Sequence, residues 1–357
     1  MENWGGDSTQ VIETQRALRS IGVEAWRRDE GAGVADCDLV HIFNMQTSYR
    51  ALEWFYLASS ACKPVVLSTI YWDLRYTKQI EVLRYGASAR WARIAQAAPT
   101  LAMFLHSVRR LVAERKVMAE QRALLEGVDA VLPNSVAELE ILVGRFRLPE
   151  LRAKAVIVPN AVRAEFADEI SAEGFGDRSL PSKYVLMVAS FHPVKGQARL
   201  IKALMDLREF PLVLVGSKAN CYRYAEYCGR LAALRGNTFL LDGVPHESMG
   251  RIYRGAKVHA LPSLRESPGL SSLEAAVCGA NCVVGIHAPV QEYFDSDAFV
   301  CDPLDLSSIR AAVVRAWKAP FNEHLRERIL RSFTWRKAAE QTLQAYETVL
   351  LRAAKDW

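Results

Sequence analysis

The sequence predicts two α/β domains in tandem, each a parallel sheet flanked by helices. Short apolar runs recur along the chain, separated by stretches with apolar residues three and four apart. Several of the runs show no polar alternation, as expected of strands covered on both faces. A single break in composition, residues 161–183, divides the runs into two groups.

The first predicted element is a helix over Glu13–Ile21, entered from a Gly5-Gly6 turn. Asp38–Phe43, Val65–Thr69, Ala130–Leu132 and Ala155–Val158 follow as strands. The segment AVRAEFADEISAEGFGDRSLPSKY is rich in acidic residues, Gly, Ser and Pro and has no sustained period, so it marks the break. Strands resume at Tyr184–Ala189 and continue through Leu212–Val215, Thr238–Leu241, Val258–Leu261, Cys282–Gly285 and Phe299–Cys301. Ala198–Leu207 and Tyr222–Leu234 have helical spacing between them. Strand, helix, strand in repetition gives right-handed βαβ units. Arg336–Ala354 reads as a long amphipathic helix, and Trp335 and Tyr346 need a surface to cover. A doubly wound domain opens with a strand that becomes central in its sheet. This chain runs straight into a helix, so the first strand of the N-terminal domain is expected to be missing from the sequence.

With 357 residues, half of them apolar and 24% charged, the composition is that of a soluble globular protein with room for two cores. No uncharged apolar run approaches the ~18 residues of a bilayer span, and the N-terminus has no secretory pattern. Seven cysteines, an odd and scattered set mostly within apolar segments, suggest reduced thiols and a cytoplasmic location. Cys278 and Cys282 are four apart but have no second pair at zinc spacing, so no metal site is expected. The net charge of +5 is modest and the basic residues form no nucleic-acid module.

The most informative stretch is LPSLRESPGLSSLEAAVCGANCVVG, residues 261–285. A strand ends at Pro262, a loop carries Glu266 and Gly269, and a helix is expected from near Ser271 with Glu274 in its first turn. Gly269 lets backbone amides approach a ligand, and a helix N-terminus favours phosphate. Upstream, YVLMVASFHPVKG (184–196) places Ser190, His192 and Lys195 after another strand.

Glu266-Ser-Pro-Gly-Leu-Ser-Ser-Leu-Glu274 resembles the E-x7-E element of the retaining GT-B glycosyltransferases of family GT4. Residues 184–196, Leu212–Gly216, Asp242-Gly243-Val244 and Tyr253–Pro262 follow in that family's order. Gly5-Gly6-Asp7, Asp38-Leu-Val-His41, Val158-Pro-Asn160 and Phe333-Thr-Trp335 match more loosely. The resemblance implies two Rossmann-like, doubly wound domains facing a central cleft. It implies an acceptor domain over 1–165, a nucleotide-sugar domain over 166–335, and a helix over 336–357 packing back toward the first. It also implies that Glu266 binds hydroxyls of the donor sugar and that the amides around Gly269 and Leu270 hold the distal phosphate. Glu274 would hold the ribose and Lys195 would neutralise the departing diphosphate. A UDP- or GDP-linked sugar is then a substrate, with no cofactor and no metal. The acceptor would be a glycan or a lipid-linked sugar, in cell-surface polysaccharide synthesis.

One departure matters. The family's turn usually begins with an arginine, and here Ser190 stands in its place, leaving one of two cationic clamps to Arg199 or Arg265. Ser271-x-x-Glu274 also spells a capping box, a structural role that can coexist with ligand binding. The D-x-D spellings Asp36-Cys-Asp38 and Asp295-Ser-Asp297 lack the context of a metal site.

On the acceptor side, Tyr71-Trp72-Asp73 follows a strand end and Gly6 opens the first helix. Asp73 is the ionisable candidate to help activate an acceptor hydroxyl, and the aromatic pair reads either as core or as a sugar platform. Residues 75–122 are rich in Arg and Lys with interleaved apolar residues, as in a peripheral contact with an anionic membrane or in a solvated helix face. Two rivals remain at this point. One is a GT-B scaffold or binding subunit without activity, which Ser190 supports. The other is a sugar-nucleotide epimerase, for which no acid–base pair is found.

Overall fold

The computed structural model describes residues 6–31, 33–72, 114–163, 165, 180–245 and 248–355. The chain divides into two compact units, Met1–Pro159 with Arg336–Trp357, and Asn160–Trp335. Most of the composition break at 161–183 lies outside the described residues, as do Asp73 and residues 75–113 of the basic segment.

In the first unit, α1 (Gly6–Ser20) leads to β1 (Val40–Phe43), α2 (Ser48–Ser60) and β2 (Val65–Ser68). A helical stretch over 114–127, β3 (Ala130–Leu132) and α3 (Val136–Phe146) follow. The strands pair in parallel in the order β1-β2-β3, without a reversal among the described residues. The run expected as a strand over 155–158 is reduced to a bridge between Ala155 and Val131. It still lies along β3, with Val156 and Val158 donating to the carbonyls of Val131 and Pro133. β2 and β3 are buried along their whole length, which explains their unbroken apolar character.

The second unit holds a six-stranded parallel sheet. Its elements are β4 (Tyr184–Val188), α4 (Gln197–Ala203), β5 (Leu212–Val215), α5 (Tyr222–Arg235), β6 (Thr238–Leu241), α6 (Met249–Gly255) and β7 (Ala256–Leu261). Then come α7 (Leu270–Val277), β8 (Asn281–Gly285), α8 (Ala288–Phe294), β9 (Phe299–Cys301), α9 (Leu306–Lys318) and α10 (Glu323–Ser332). Strand order is β6-β5-β4-β7-β8-β9, the doubly wound arrangement with its reversal between β4 and β7. Val185, Met187, Leu212 and Leu214 enter one core with α4, α5 and α9. Leu186, Val213 and Val215 enter another with Tyr253 and Ala275. Alternate residues of one strand therefore face two apolar layers, and no polar alternation remains for the sequence to show.

α11 (Trp335–Ala353) counts with the first unit from Arg336 onward. Its Tyr346 hydroxyl lies 2.7 Å from Nδ1 of His41 on β1, whose Nε2 lies 2.9 Å from the Ser68 hydroxyl on β2. Among the described residues no helix is long and apolar enough to cross a membrane.

Candidate active site

Open α/β sheets bind ligands beyond the carboxyl ends of the strands where the order reverses. In the second unit that point lies between the loops after β4 and β7, and both carry residues singled out from sequence. After β4 the chain turns through Ala189–Gly196. Ala189 and Phe191 donate to the carbonyls of Val215 and Ser217, which ties the turn to the end of β5. Gln197, 1% exposed, donates through Nε2 to the carbonyls of Ala189 and Ser190 at 3.3 and 2.9 Å. Gly196, at φ +95°, has space for no side chain, because a Cβ would press on the Pro262 carbonyl and the Arg199 guanidinium. The turn thereby brings Lys195 to the loop after β7.

That second loop runs from Pro262 to Gly269. Leu264 donates to the carbonyl of Val194 at 2.8 Å, joining the two loops. The Ser263 hydroxyl donates to the Arg265 carbonyl at 2.7 Å. Across the junction Nζ of Lys195 meets Oε1 of Glu266 at 2.7 Å, with the lysine side chain 30% exposed and the glutamate 10%. Gly269, at φ +90°, is the N-cap of α7, so the helix starts at Leu270. Its internal bonding begins with Ser272 N–H to the Gly269 carbonyl, and the amides of Leu270 and Ser271 precede that ladder. A cation, a carboxylate and a helix N-terminus thus meet at one place. Such a set binds an anionic phosphate through the cation and amides and a hydroxylated ring through the carboxylate.

The early start of α7 corrects one expectation. Ser271 is not the cap and Glu274 lies in the second turn, so the two form no capping box. Glu274 instead accepts a 2.6 Å hydrogen bond from the Tyr253 hydroxyl of α6. Burial holds that phenol well above its ordinary range, and the neighbouring carboxylate adds to the shift. Behind this pair sits His259 on β7, fully buried, with Nδ1 3.3 Å from the Ser272 hydroxyl and no partner at Nε2.

Arg199 does not replace the missing arginine at Ser190. It is 6% exposed, and its guanidinium donates to the carbonyls of Pro193, Val194 and Pro262. It builds the turn. His192 is likewise engaged in the turn, its Nδ1 accepting the Val194 N–H.

Of the residues singled out in the first unit, Gly6, Tyr71 and Trp72 are among those described. Gly6 is the first residue of α1. Tyr71, only 6% exposed, packs its ring edge-on to Phe146 at 5.6 Å, which places it in the core rather than on a ligand surface. The Trp72 carbonyl accepts from Gln46 at 3.0 Å, and Asp73 lies outside the described residues. Residues 114–122, the described part of the basic segment, belong to a helix whose Arg122 pairs with Glu126 and donates to the Phe146 carbonyl. A residue not anticipated is Glu138 in the first turn of α3. It is fully buried and accepts from the Thr69 hydroxyl and the amides of Tyr71 and Asn134 at 2.6–2.8 Å. The signal that reveals it is Ser135-x-x-Glu138, in which Ser135 caps α3.

Both D-x-D spellings engage protein partners. Asp36 accepts the Gly33 amide, while Asp297 takes Asn322 and His324 and lies near Arg328. Among the described residues no three His, Cys, Asp or Glu side chains converge as metal ligands would.

The fold matches that of GT-B glycosyltransferase structures. Over 98% of its length the chain superposes on sucrose-phosphate synthase from Thermosynechococcus elongatus, covering 94% of that chain, at TM-score 0.71 and 19% identity. Anabaena Alr3699/HepE, solved in complex with UDP-glucose, matches at TM-score 0.59 and 13% identity over 96% of this chain and 81% of that one. Residues 175–331 match the family model of glycosyl transferases group 1. Similar proteins include O-antigen chain mannosyltransferase B of Escherichia coli, 27% identical over 46% of this chain and 45% of that protein. D-inositol 3-phosphate glycosyltransferase of Salinispora tropica is 25% identical over 66% of this chain and 53% of its own length. The chain thus matches only about half the length of these relatives.

Proposed function

We propose that the chain is a retaining, metal-independent glycosyltransferase that moves a sugar from a nucleoside-diphosphate sugar to a glycan or lipid-linked acceptor. The observation that carries this is the meeting of Lys195, Glu266 and the α7 N-terminus at the strand-order reversal. As the glycosidic bond to the diphosphate breaks, the anomeric carbon becomes oxocarbenium-like and negative charge builds on the leaving phosphate. Lys195 and the amides of Leu270 and Ser271 would stabilise that charge, an effect worth several kcal/mol where water is excluded. Glu266 would orient the sugar through its hydroxyls, and Glu274, which accepts from Tyr253, would bind the ribose. In a same-face reaction the leaving phosphate accepts the acceptor's proton, so no protein nucleophile is needed. One relative is named as an O-antigen chain mannosyltransferase and another as a serotype-specific mannosyltransferase, which supports a role in cell-surface polysaccharide formation.

Ser190 supports a second reading, a binding subunit of the same fold with little turnover, because Arg199 is committed to backbone carbonyls. One experiment separates the two. Purified protein is titrated with UDP-, GDP-, ADP- and dTDP-sugars, and hydrolysis of the donor is followed alongside binding. The transferase reading expects one nucleotide to bind and turn over slowly, with Lys195→Ala lowering turnover roughly a hundredfold. Glu274→Ala should weaken nucleotide binding about tenfold or more. Binding without turnover selects the binding subunit, and binding of none of them sinks both readings of the site.

A further inference from the structure

The chain enters and leaves the second unit along neighbouring segments. Val162 donates to the Phe333 carbonyl at 2.9 Å and forms a parallel bridge with Thr334. The ring of Tyr293 on α8 packs against Phe333 with centroids 4.7 Å apart, and its hydroxyl accepts the backbone N–H of Asn160 at 2.7 Å. Asn160 is the first residue of the unit and only 6% exposed. Its side chain points elsewhere: Nδ2 donates at 2.7 Å to the carbonyl of Ser267, 107 residues further along. Its Oδ1 is buried without a partner.

Ser267 follows Glu266 directly and stands two residues before Gly269, the N-cap of α7. The loop from Pro262 to Gly269 carries two prolines and no ladder bonds, so its shape depends on a few anchors of this kind. A buried amide that satisfies one end and leaves the other unpaired incurs a desolvation cost, and such exceptions call for a reason. Here the satisfied end is the one that grips the loop.

We propose that Asn160 is a positioning residue for this loop, fixing the Ser267 carbonyl so that Glu266 and the first amides of α7 keep their places. The inference rests on reading the loop as the donor site, but the contact itself does not. Asn160 also belongs to the segment that joins the units, so the same side chain ties that junction to the site.

The test compares wild type with Asn160→Ala and Tyr293→Phe. The second variant removes only the hydroxyl that accepts the Asn160 backbone amide and serves as the structural control. Two readouts are taken: hydrogen exchange of peptides covering residues 264–272, and affinity for UDP and GDP together with the split of donor KM and kcat. Asn160→Ala should speed exchange in that loop about fivefold and raise donor KM about fivefold, with kcat changed less than about twofold. Tyr293→Phe should lower the melting temperature while leaving loop exchange and KM at wild-type values. Unchanged loop exchange in Asn160→Ala overturns the proposal, as does equal loosening in both variants in step with their stability. If the alanine protein does not fold, Asn160→Asp repeats the comparison with the same shape and no donor. A wild type that binds neither nucleotide sinks the donor reading, while loop exchange still decides whether Asn160 holds the loop.

Discussion

Glu138 has no exposed surface, yet its two oxygens take three donors from three places in the sequence. Burial raises its pKa, while the Thr69 hydroxyl and the amides of Asn134 and Tyr71 oppose that shift. In Glu138→Gln one acceptor oxygen becomes an NH2 group facing a donor. The variant should lose about 1–3 kcal/mol, read as a lower urea midpoint; an unchanged midpoint would show that the donors can turn to water. At the S-x-x-E spellings of Ser135 and Ser271, both at helix starts, the same rule gives opposite results. Ser135 caps α3 as the spelling predicts. At Ser271 the local signal loses to Gly269, whose left-handed backbone starts the helix earlier and turns Glu274 toward Tyr253. No local pattern contains that outcome, because it depends on where α6 lies.

At the scale of elements, the strands of the second unit were legible because two apolar layers leave a strong, unbroken signal. Their edges were less so. β8 begins one residue before the expected Cys282, at Asn281, whose side-chain amide donates to the carbonyls of Ala316 in the last turn of α9 and of Ala319 and Pro320 after it. The turn after β4 was legible in the sequence, but its internal support was not. Gly216, at the end of β5, lies so close to the Ala189 carbonyl that an added Cβ would overlap it. Gly216→Ala should therefore push the Ser190 turn aside, costing about 1–3 kcal/mol of stability and weakening nucleotide binding. Gly229 in α5 meets nothing within 4 Å of its would-be Cβ. Gly229→Ala should instead raise the melting temperature slightly, by about 0.5–1 kcal/mol of helix propensity. Thermal melts of the two variants check both signs, and a neutral Gly216→Ala would show the turn to be pliant.

For the molecule as a whole, buried histidines set a pH dependence, His41 and His259 alike. Burial lowers the pKa of His259 from 6.5 to about 3. Between those values the unfolded chain binds the proton and the folded one does not. Stability contributed by the neutral ring is therefore complete above pH 6.5 and lost as pH falls toward 3, by up to about 1.4 kcal/mol per unit. Denaturant unfolding from about pH 8 to about pH 5 should show this loss, with a shallower slope in His259→Gln; equal slopes would place the sensitivity elsewhere.

The paired segments at Val162 and Thr334 also bear on how the chain is made. The second unit is an insertion, topologically, between the first 159 residues and the helix that completes their domain. During synthesis the first domain waits for α11, and the hydrogen bond between His41 and Tyr346 spans 305 residues of intervening chain. The unit that begins first is finished last, and the inserted one, with its ends side by side, can fold while the other is still open.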